Sequence, residues 1–174
     1  MNKALFLDRD GVINVDYGYV ASFDRFVFCD GIFDLLRDAA AKGYKIIVVT
    51  NQSGIGRGLY GEDEFKTLTR QMLKTFLDRG VTICGVYYCP HAPEDDCDCR
   101  KPKSGMFLQA IKDHNLDPSI SWMIGDKQSD ITAAIGAGVK NLALIDANLT
   151  QNIEGARVCK NLLDTIAYFK KAAE

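Results

Sequence analysis

Long apolar runs are absent. Polar residues break every hydrophobic stretch of this chain well short of the roughly 20 residues that a membrane span requires, so no transmembrane helix is expected. A large excess of one charge is also missing: 21 basic and 23 acidic side chains leave a net charge of −2. That balance argues against general nucleic-acid affinity, although it leaves room for a local basic pocket. No internal repeat, low-complexity tract or linker is present, which excludes a repeat array and a flexible tether between domains. The opening Met1-Asn2-Lys3-Ala4 runs straight into a strand-like segment. It leaves no room for a signal peptide ahead of the fold and points to a cytoplasmic protein. Histidine is scarce, with two residues in all, so a role for either must be argued from its neighbours.

What is present is the composition of a globular protein. With 47% hydrophobic and 25% charged residues over 174 positions, one domain spanning 1–174 with a sizeable core is expected. Strand patterns at Lys3–Leu7, Lys45–Thr50, Thr82–Tyr88, Trp122–Ile124 and Asn141–Ile145 alternate with helical ones. The helical patterns cover Ile32–Lys42, Asp63–Leu77, Gly105–His114, Asp130–Ala137 and Leu162–Ala172. Gly43, Gly80 and Gly138 supply helix stops, and Ser104 is placed to cap the helix that follows it. The alternation predicts an α/β fold, a Rossmann-like parallel sheet with helices on both faces. Two connections carry few helix signals, Asn14–Asp30 and Cys89–Lys103, and connections of that length inside a compact domain are usually functional.

The first strand ends abruptly in Asp8-Arg9-Asp10-Gly11. Ligands gather beyond the carboxyl ends of parallel strands, and in extended chain residues two apart share a face. Paired carboxylates repel, so they suit a bound cation or a state with one of them protonated. Taken singly, the DxD is also what a polar loop would carry. The second strand ends in Thr50-Asn51-Gln52-Ser53-Gly54-Ile55-Gly56-Arg57-Gly58, where hydroxyl, amide and N–H donors meet glycines that allow close backbone approach. A flexible Gly-rich turn reads the same way. Further on, Gly125-Asp126-Lys127-Gln128-Ser129-Asp130 again sets a carboxylate at a strand end, either as a ligand or as a helix cap. Arg100-Lys101-Pro102-Lys103 is either part of a site or a solvated charge run. Together they form one constellation. Three carboxylates suit a hard cation such as Mg²⁺, with substrate phosphate completing its shell. A lysine and a hydroxyl offset charge on a transferring phosphoryl group. The chemistry that fits is phosphoryl transfer to a carboxylate.

Of the six cysteines, Cys29, Cys84 and Cys159 lie among apolar residues and are expected in the core. The others form Cys89-x-His91-x5-Cys97-x-Cys99. Four ligands in one short loop suit a closed, structural Zn²⁺ site, with incidental thiols near a turn as the plainer alternative. His91 is then a ligand and not a base, and His114, at a helix end, is a surface residue.

In that order the motifs resemble those of the haloacid dehalogenase-like superfamily of aspartate-nucleophile phosphatases. Within it they are most similar to the D-glycero-D-manno-heptose 1,7-bisphosphate phosphatases and the related histidinol-phosphate phosphatases. The resemblance runs from Ala4 to about Ala147. It implies Asp8 as nucleophile, Asp10 as general acid and base, and Thr50 and Lys101 as stabilisers of the phosphoryl group. It implies Mg²⁺ on Asp8, Asp126 and the backbone carbonyl of Asp10, with Asp130 in support, and it adds weight to zinc on the cysteine loop. Asp16-Tyr17-Gly18-Tyr19 would close over the sugar, Thr50-Asn51-Gln52-Ser53 would contact phosphate or sugar, and Arg100 and Lys127 would recognise the rest of the substrate. Val12 departs from the threonine common after DxDG, without removing a catalytic group. The superfamily often covers its site with a cap domain, but both long connections here are too short to fold as one. An open site walled by residues 16–19 and the zinc loop 89–103 is expected.

The function implied is hydrolysis of the C7 phosphate of a heptose bisphosphate through an aspartyl-phosphate, in nucleotide-activated heptose synthesis. Histidinol phosphate is the rival substrate. The net acidity counts against nucleic-acid end processing, and a zinc-stabilised Mg²⁺-binding module without turnover is the alternative of another class. A small sugar phosphate is the expected partner, and with no interface stripe in view the chain is expected to be a monomer.

Overall fold

The first strand is apolar on both sides because both sides are buried. In β1 (Lys3–Leu7), Leu5 and Leu7 point into one core and Ala4 and Phe6 into another, the pattern of a strand sandwiched between helix layers. The computed structural model describes residues 1–173. β1 is joined by β2 (Tyr44–Asn51), β3 (Ile83–Cys89), β4 (Trp122–Gly125), β5 (Asn141–Ile145) and β6 (Ala156–Cys159). All pair in parallel in the order β3-β2-β1-β4-β5-β6.

α1 (Ile32–Ala41), α3 (Glu62–Asp78) and α6 (Leu162–Ala172) pack on the face of Leu5, Leu7, Ile46 and Trp122. α4 (Gly105–His114) and α5 (Gln128–Gly136) pack on the other, where Phe6 and Phe107 have ring centroids 5.0 Å apart. The expected α/β sheet with helices on both faces is therefore present. β1 and β4 are neighbours in the sheet though distant in sequence. The winding reverses between them, and that reversal opens the ligand crevice of such folds.

The segments 8–31 and 90–104 each contain a single 3₁₀ turn, Phe23–Arg25 and Pro93–Asp95, and no inserted domain. The first is held down by aromatics: Phe28 meets Phe26 and, edge-on, Phe76 of α3, with centroids 5.0 Å and 5.3 Å apart.

The structure departs from the sequence reading in four places. β6 is an unanticipated sixth strand; it is short, and Arg157 interrupts its apolar pattern. The one-turn helix α2 (Ser53–Gly56) stands where the Gly-rich turn was expected. Ser104 does not cap α4 with its side chain: its hydroxyl donates to the Ala133 carbonyl of α5 at 2.8 Å and ties two helices together. Cys84 is exposed on the edge strand β3, whereas Cys159 is buried and Cys29 half-buried. No helix among the described residues is long and apolar enough to cross a membrane.

Candidate active site

Four carboxylates converge beyond the ends of β1 and β4. Asp8 follows β1 directly and is buried, and Lys101 reaches it from the loop after β3 with Nζ 3.1 Å from Asp8 Oδ1. The same ammonium lies 2.6 Å from Asp130 Oδ1 and donates to the Val49 carbonyl at 2.8 Å. Burial alone would pull the Lys101 ammonium down, but Asp8 and Asp130 overcome that and hold it well above the usual lysine range. Asp8 is pushed up by burial first and by Asp130 second. Asp126 is also pushed up by burial, to about 6, against the pull of Lys127.

Ligand oxygens of Asp8, Asp126 and Asp130 lie within 4.8 Å of one another, and Asp126 Oδ1 is buried without a hydrogen-bond partner. Lys101 meets Asp8 and Asp130, and Lys127 lies 4.0 Å from Asp126 Oδ2; three carboxylates still outnumber these two ammonium groups, and a divalent cation would neutralise the charge left over. The crowding also explains the glycine of DxDG: Gly11 has φ +88°, and a Cβ there would meet Asp126 Oδ2 at 2.1 Å. Asp126 is not the cap of α5. Asp130 accepts from the N–H groups of Asp126 and Lys127 at 3.1 and 3.0 Å and turns the chain there.

Asp10 sits apart from that trio in a cage of donors. Its Oδ1 accepts from Arg9 Nη2 at 2.9 Å and Asn14 Nδ2 at 3.0 Å, and its Oδ2 accepts from Gln52 Nε2 at 3.1 Å. Arg9 is itself 2% exposed and also donates to the Val20 carbonyl at 2.7 Å. It therefore links Asp10 to the end of the 16–19 segment.

These groups open onto a cleft of about 520 Å³. Asp8, Asp10, Asp16, Gly18, Tyr19, Ser53, Arg100 and Lys127 line it, together with Asn51, Gln52 and Lys101. Lys127 Nζ approaches Asp16 Oδ2 at 3.6 Å across its mouth. Tyr17 is not in the lining; it is exposed, and its carbonyl accepts from Arg25. Thr50 lies buried behind the cleft, its hydroxyl accepting from Gln52 Nε2 at 2.9 Å.

This chain is 49% identical over 172 residues to the D-glycero-beta-D-manno-heptose-1,7-bisphosphate 7-phosphatase of Haemophilus influenzae, covering 95% of this chain and 94% of that protein. It is 46% identical to the protein of the same name from Helicobacter pylori strain J99, over 97% of this chain and 98% of that one. The chain belongs to the haloacid dehalogenase-like phosphatase family. A HAD-hydrolase-like family model matches residues 98–165. A crystal structure of D,D-heptose 1,7-bisphosphate phosphatase from B. bronchiseptica, complexed with magnesium and phosphate, superposes with a TM-score of 0.88 at 28% identity. That match covers 98% of this chain and 99% of that one.

This family member also gathers its cysteine loop into one cluster. Cys89 Sγ lies 3.4 Å from both Cys97 Sγ and His91 Nδ1. Cys99 Sγ lies 3.3 Å from His91 Nδ1 and 3.5 Å from Cys97 Sγ. Metal–sulfur bonds of about 2.3 Å would set tetrahedral S···S edges near ~3.8 Å, so a small expansion of the cluster admits a Zn²⁺ ion. Burial pushes the Cys97 thiol up, but the Arg100 backbone N–H, followed by hydrogen bonds from the Cys89 and Cys99 thiols, more than reverses this and brings it to about 7. At Cys97 the thiolate, the form that binds metal, is thereby favoured, whereas burial pushes the Cys89 and Cys99 thiols up.

Sequence reasoning missed Arg9, Tyr60 and Ser129. Tyr60 and Ser129 line the cleft, and the Tyr60 hydroxyl, pushed up to about 12 chiefly by burial, donates to Gln52 Oε1. No spacing rule marks Tyr60, since it lies beyond the turn after α2 and packs back over Gly54. Arg9 stands between the two aspartates of the DxD, and only the fold shows it turned inward.

Proposed function

We propose that the chain is a phosphatase removing the C7 phosphate of D-glycero-β-D-manno-heptose 1,7-bisphosphate. The observation that carries this reading is the buried Asp8–Lys101–Asp130 cluster at the floor of a cleft that also presents the caged Asp10. The names of relatives 49% and 46% identical over nearly their whole length support the substrate and its anomer.

In this reading an Asp8 oxygen attacks phosphorus in line, and the bond from phosphorus to the sugar oxygen breaks. The sugar oxygen takes its proton from Asp10. Asp10, now ionised, accepts a proton from water as the water oxygen bonds to phosphorus and Asp8 is released with inorganic phosphate. Lys101 carries positive charge to the transferring group, and Asp130 holds that ammonium in place. Thr50 steadies the Gln52 amide from beneath. Asp8 and Asp126, with Asp130 behind them, would hold Mg²⁺, which supplies charge neutralisation between nucleophile and phosphate. Arg100 and Lys127 at the mouth suit a second phosphate, and Asp16, Gly18 and Tyr19 suit sugar hydroxyls. Cys89, His91, Cys97 and Cys99 would hold a structural Zn²⁺.

The deciding experiment is steady-state phosphate release with Mg²⁺ from both anomers of the heptose bisphosphate and from histidinol phosphate. A preference for the β anomer of about a hundredfold in kcat/KM, close to 2.7 kcal/mol, supports the reading. A preference for histidinol phosphate would leave Asp8 and Asp10 in place and overturn the pocket assignment. No turnover at all would favour a metal-binding module.

A further inference from the structure

Gln52, expected among the substrate contacts, turns inward. It is 2% exposed, and each polar atom of its side chain is spent on protein. Nε2 donates to Asp10 Oδ2 at 3.1 Å and to Thr50 Oγ1 at 2.9 Å, while Oε1 accepts from the Tyr60 hydroxyl. A carboxamide rotated end for end would set Oε1 against Asp10 Oδ2, lone pair on lone pair. Asp10 thus selects the rotamer, and Tyr60 anchors the far end of the carboxamide by donating to Oε1 where it stands.

The ring of Tyr60 reaches this position because residue 54 has no side chain. A Cβ on Gly54 would lie 2.2 Å from Tyr60 Cε1 and 3.0 Å from Tyr19 Cδ1. Asp10 Oδ1 already takes two donors, from Arg9 and Asn14, whereas Oδ2 takes only the Gln52 N–H. Oδ2 therefore keeps acceptor capacity on a side chain that is 17% exposed toward the cleft. Arg9 and Asn14 hold the carboxylate through Oδ1, the Gln52 amide holds it through Oδ2, and Tyr60 holds the far end of that amide.

We propose that Tyr60 is a positioning residue for the acid that protonates the leaving oxygen, acting through Gln52 to aim Asp10 Oδ2 into the cleft. Gly54 is glycine so that the Tyr60 ring can pack there. The proposal rests on the reading of Asp10 as general acid given above. It reassigns Gln52 from substrate contact to scaffold.

The test compares leaving groups. kcat/KM covers the steps up to departure of the leaving group. A sugar phosphate needs a proton on its leaving oxygen, whereas 4-nitrophenyl phosphate leaves as a stable phenolate and needs little help. Tyr60→Phe keeps the ring and removes only the hydroxyl. It should lower kcat/KM about tenfold for the heptose bisphosphate and less than about threefold for the aryl phosphate, with the sugar-phosphate loss appearing in kcat. Gly54→Ala, which displaces the ring, should reproduce that imbalance. Equal losses on both substrates, or a rise in KM alone, would overturn the proposal. A crystal structure of Tyr60→Phe should show the Gln52 carboxamide or the Asp10 carboxylate turned from its wild-type direction. Unchanged geometry would overturn the proposal whichever phosphate ester the protein prefers, whereas failure of wild-type turnover on the heptose bisphosphate alone would count only against the substrate assignment.

Discussion

Asn51 and Lys101 are clamped together by two reciprocal hydrogen bonds. Asn51 Nδ2 donates to the Lys101 carbonyl at 3.1 Å, and the Lys101 N–H donates back to Asn51 Oδ1 at 3.0 Å. The side chain at the end of β2 thus acts on the basic loop as a neighbouring strand would, and fixes the root of the residue whose ammonium meets Asp8.

Asn51→Ala should therefore damage catalysis more than stability. Losing the clamp leaves a backbone N–H and carbonyl without these partners and lets the Lys101 stem shift. Displacements of about an ångström cost tenfold to a hundredfold in rate. Steady-state kinetics should show that fall mainly in kcat, with a small change in melting temperature.

Asp8→Asn should abolish turnover, by about a thousandfold or more, because an amide cannot form the acyl phosphate. Rapid-quench experiments with radiolabelled phosphate ester should trap a covalent phosphoprotein in the wild type and none in the variant. Wild-type-like turnover in the variant would remove Asp8 from its role.

Removing metal from the cysteine cluster should loosen the adjoining active-site loop. Native mass spectrometry is expected to find a Zn²⁺ ion on the wild-type chain and none on Cys97→Ser. The melting temperature should fall together with activity, since the loop that follows Cys99 carries Arg100 and Lys101. Full activity with the zinc stripped would separate the cluster from the site.

Asp146 is a structural carboxylate whose contribution depends on pH. It accepts from the N–H groups of Gln151 at 2.8 Å, Thr150 at 2.7 Å and Asn148 at 3.1 Å. The Gln151 N–H, joined by those of Asn148 and Thr150, holds its carboxyl below the usual range against the opposing effect of burial. A depressed folded value means the stabilisation is present above the unfolded value of about 3.9 and is lost as pH falls through the folded one. Urea unfolding should therefore show a gap between wild type and Asp146→Asn at neutral pH that narrows in strong acid. A constant gap across that range would contradict the assignment.

The parts of this molecule legible in the sequence are those governed by local rules. Leu5-Phe6-Leu7 announces a strand buried on both faces, and glycines just past α1, α3 and α5 mark their ends. Asp8 and Asp126 stand at strand ends because the chain leaves the sheet there, and Cys89, His91, Cys97 and Cys99 fall within one short loop. Alternation of strand and helix then leaves little choice but a parallel sheet. β6 escaped notice because four residues carrying an arginine have too little apolar period to register. Asn51 and Gln52 line the cleft and also bond to protein; in sequence a polar residue at a strand end looks the same in either role.

What only the tertiary structure decided is which polar groups spend themselves on one another. Residue type and spacing determined where carboxylates, lysine and amides would emerge from the sheet, since backbone period and turn chemistry act over a few positions. Whether Asn51 grips Lys101, Gln52 serves Asp10, or Tyr60 folds back over Gly54 depends on distances between segments far apart in the chain. Those distances are set by packing of the two cores on either side of β1, and no local pattern encodes them.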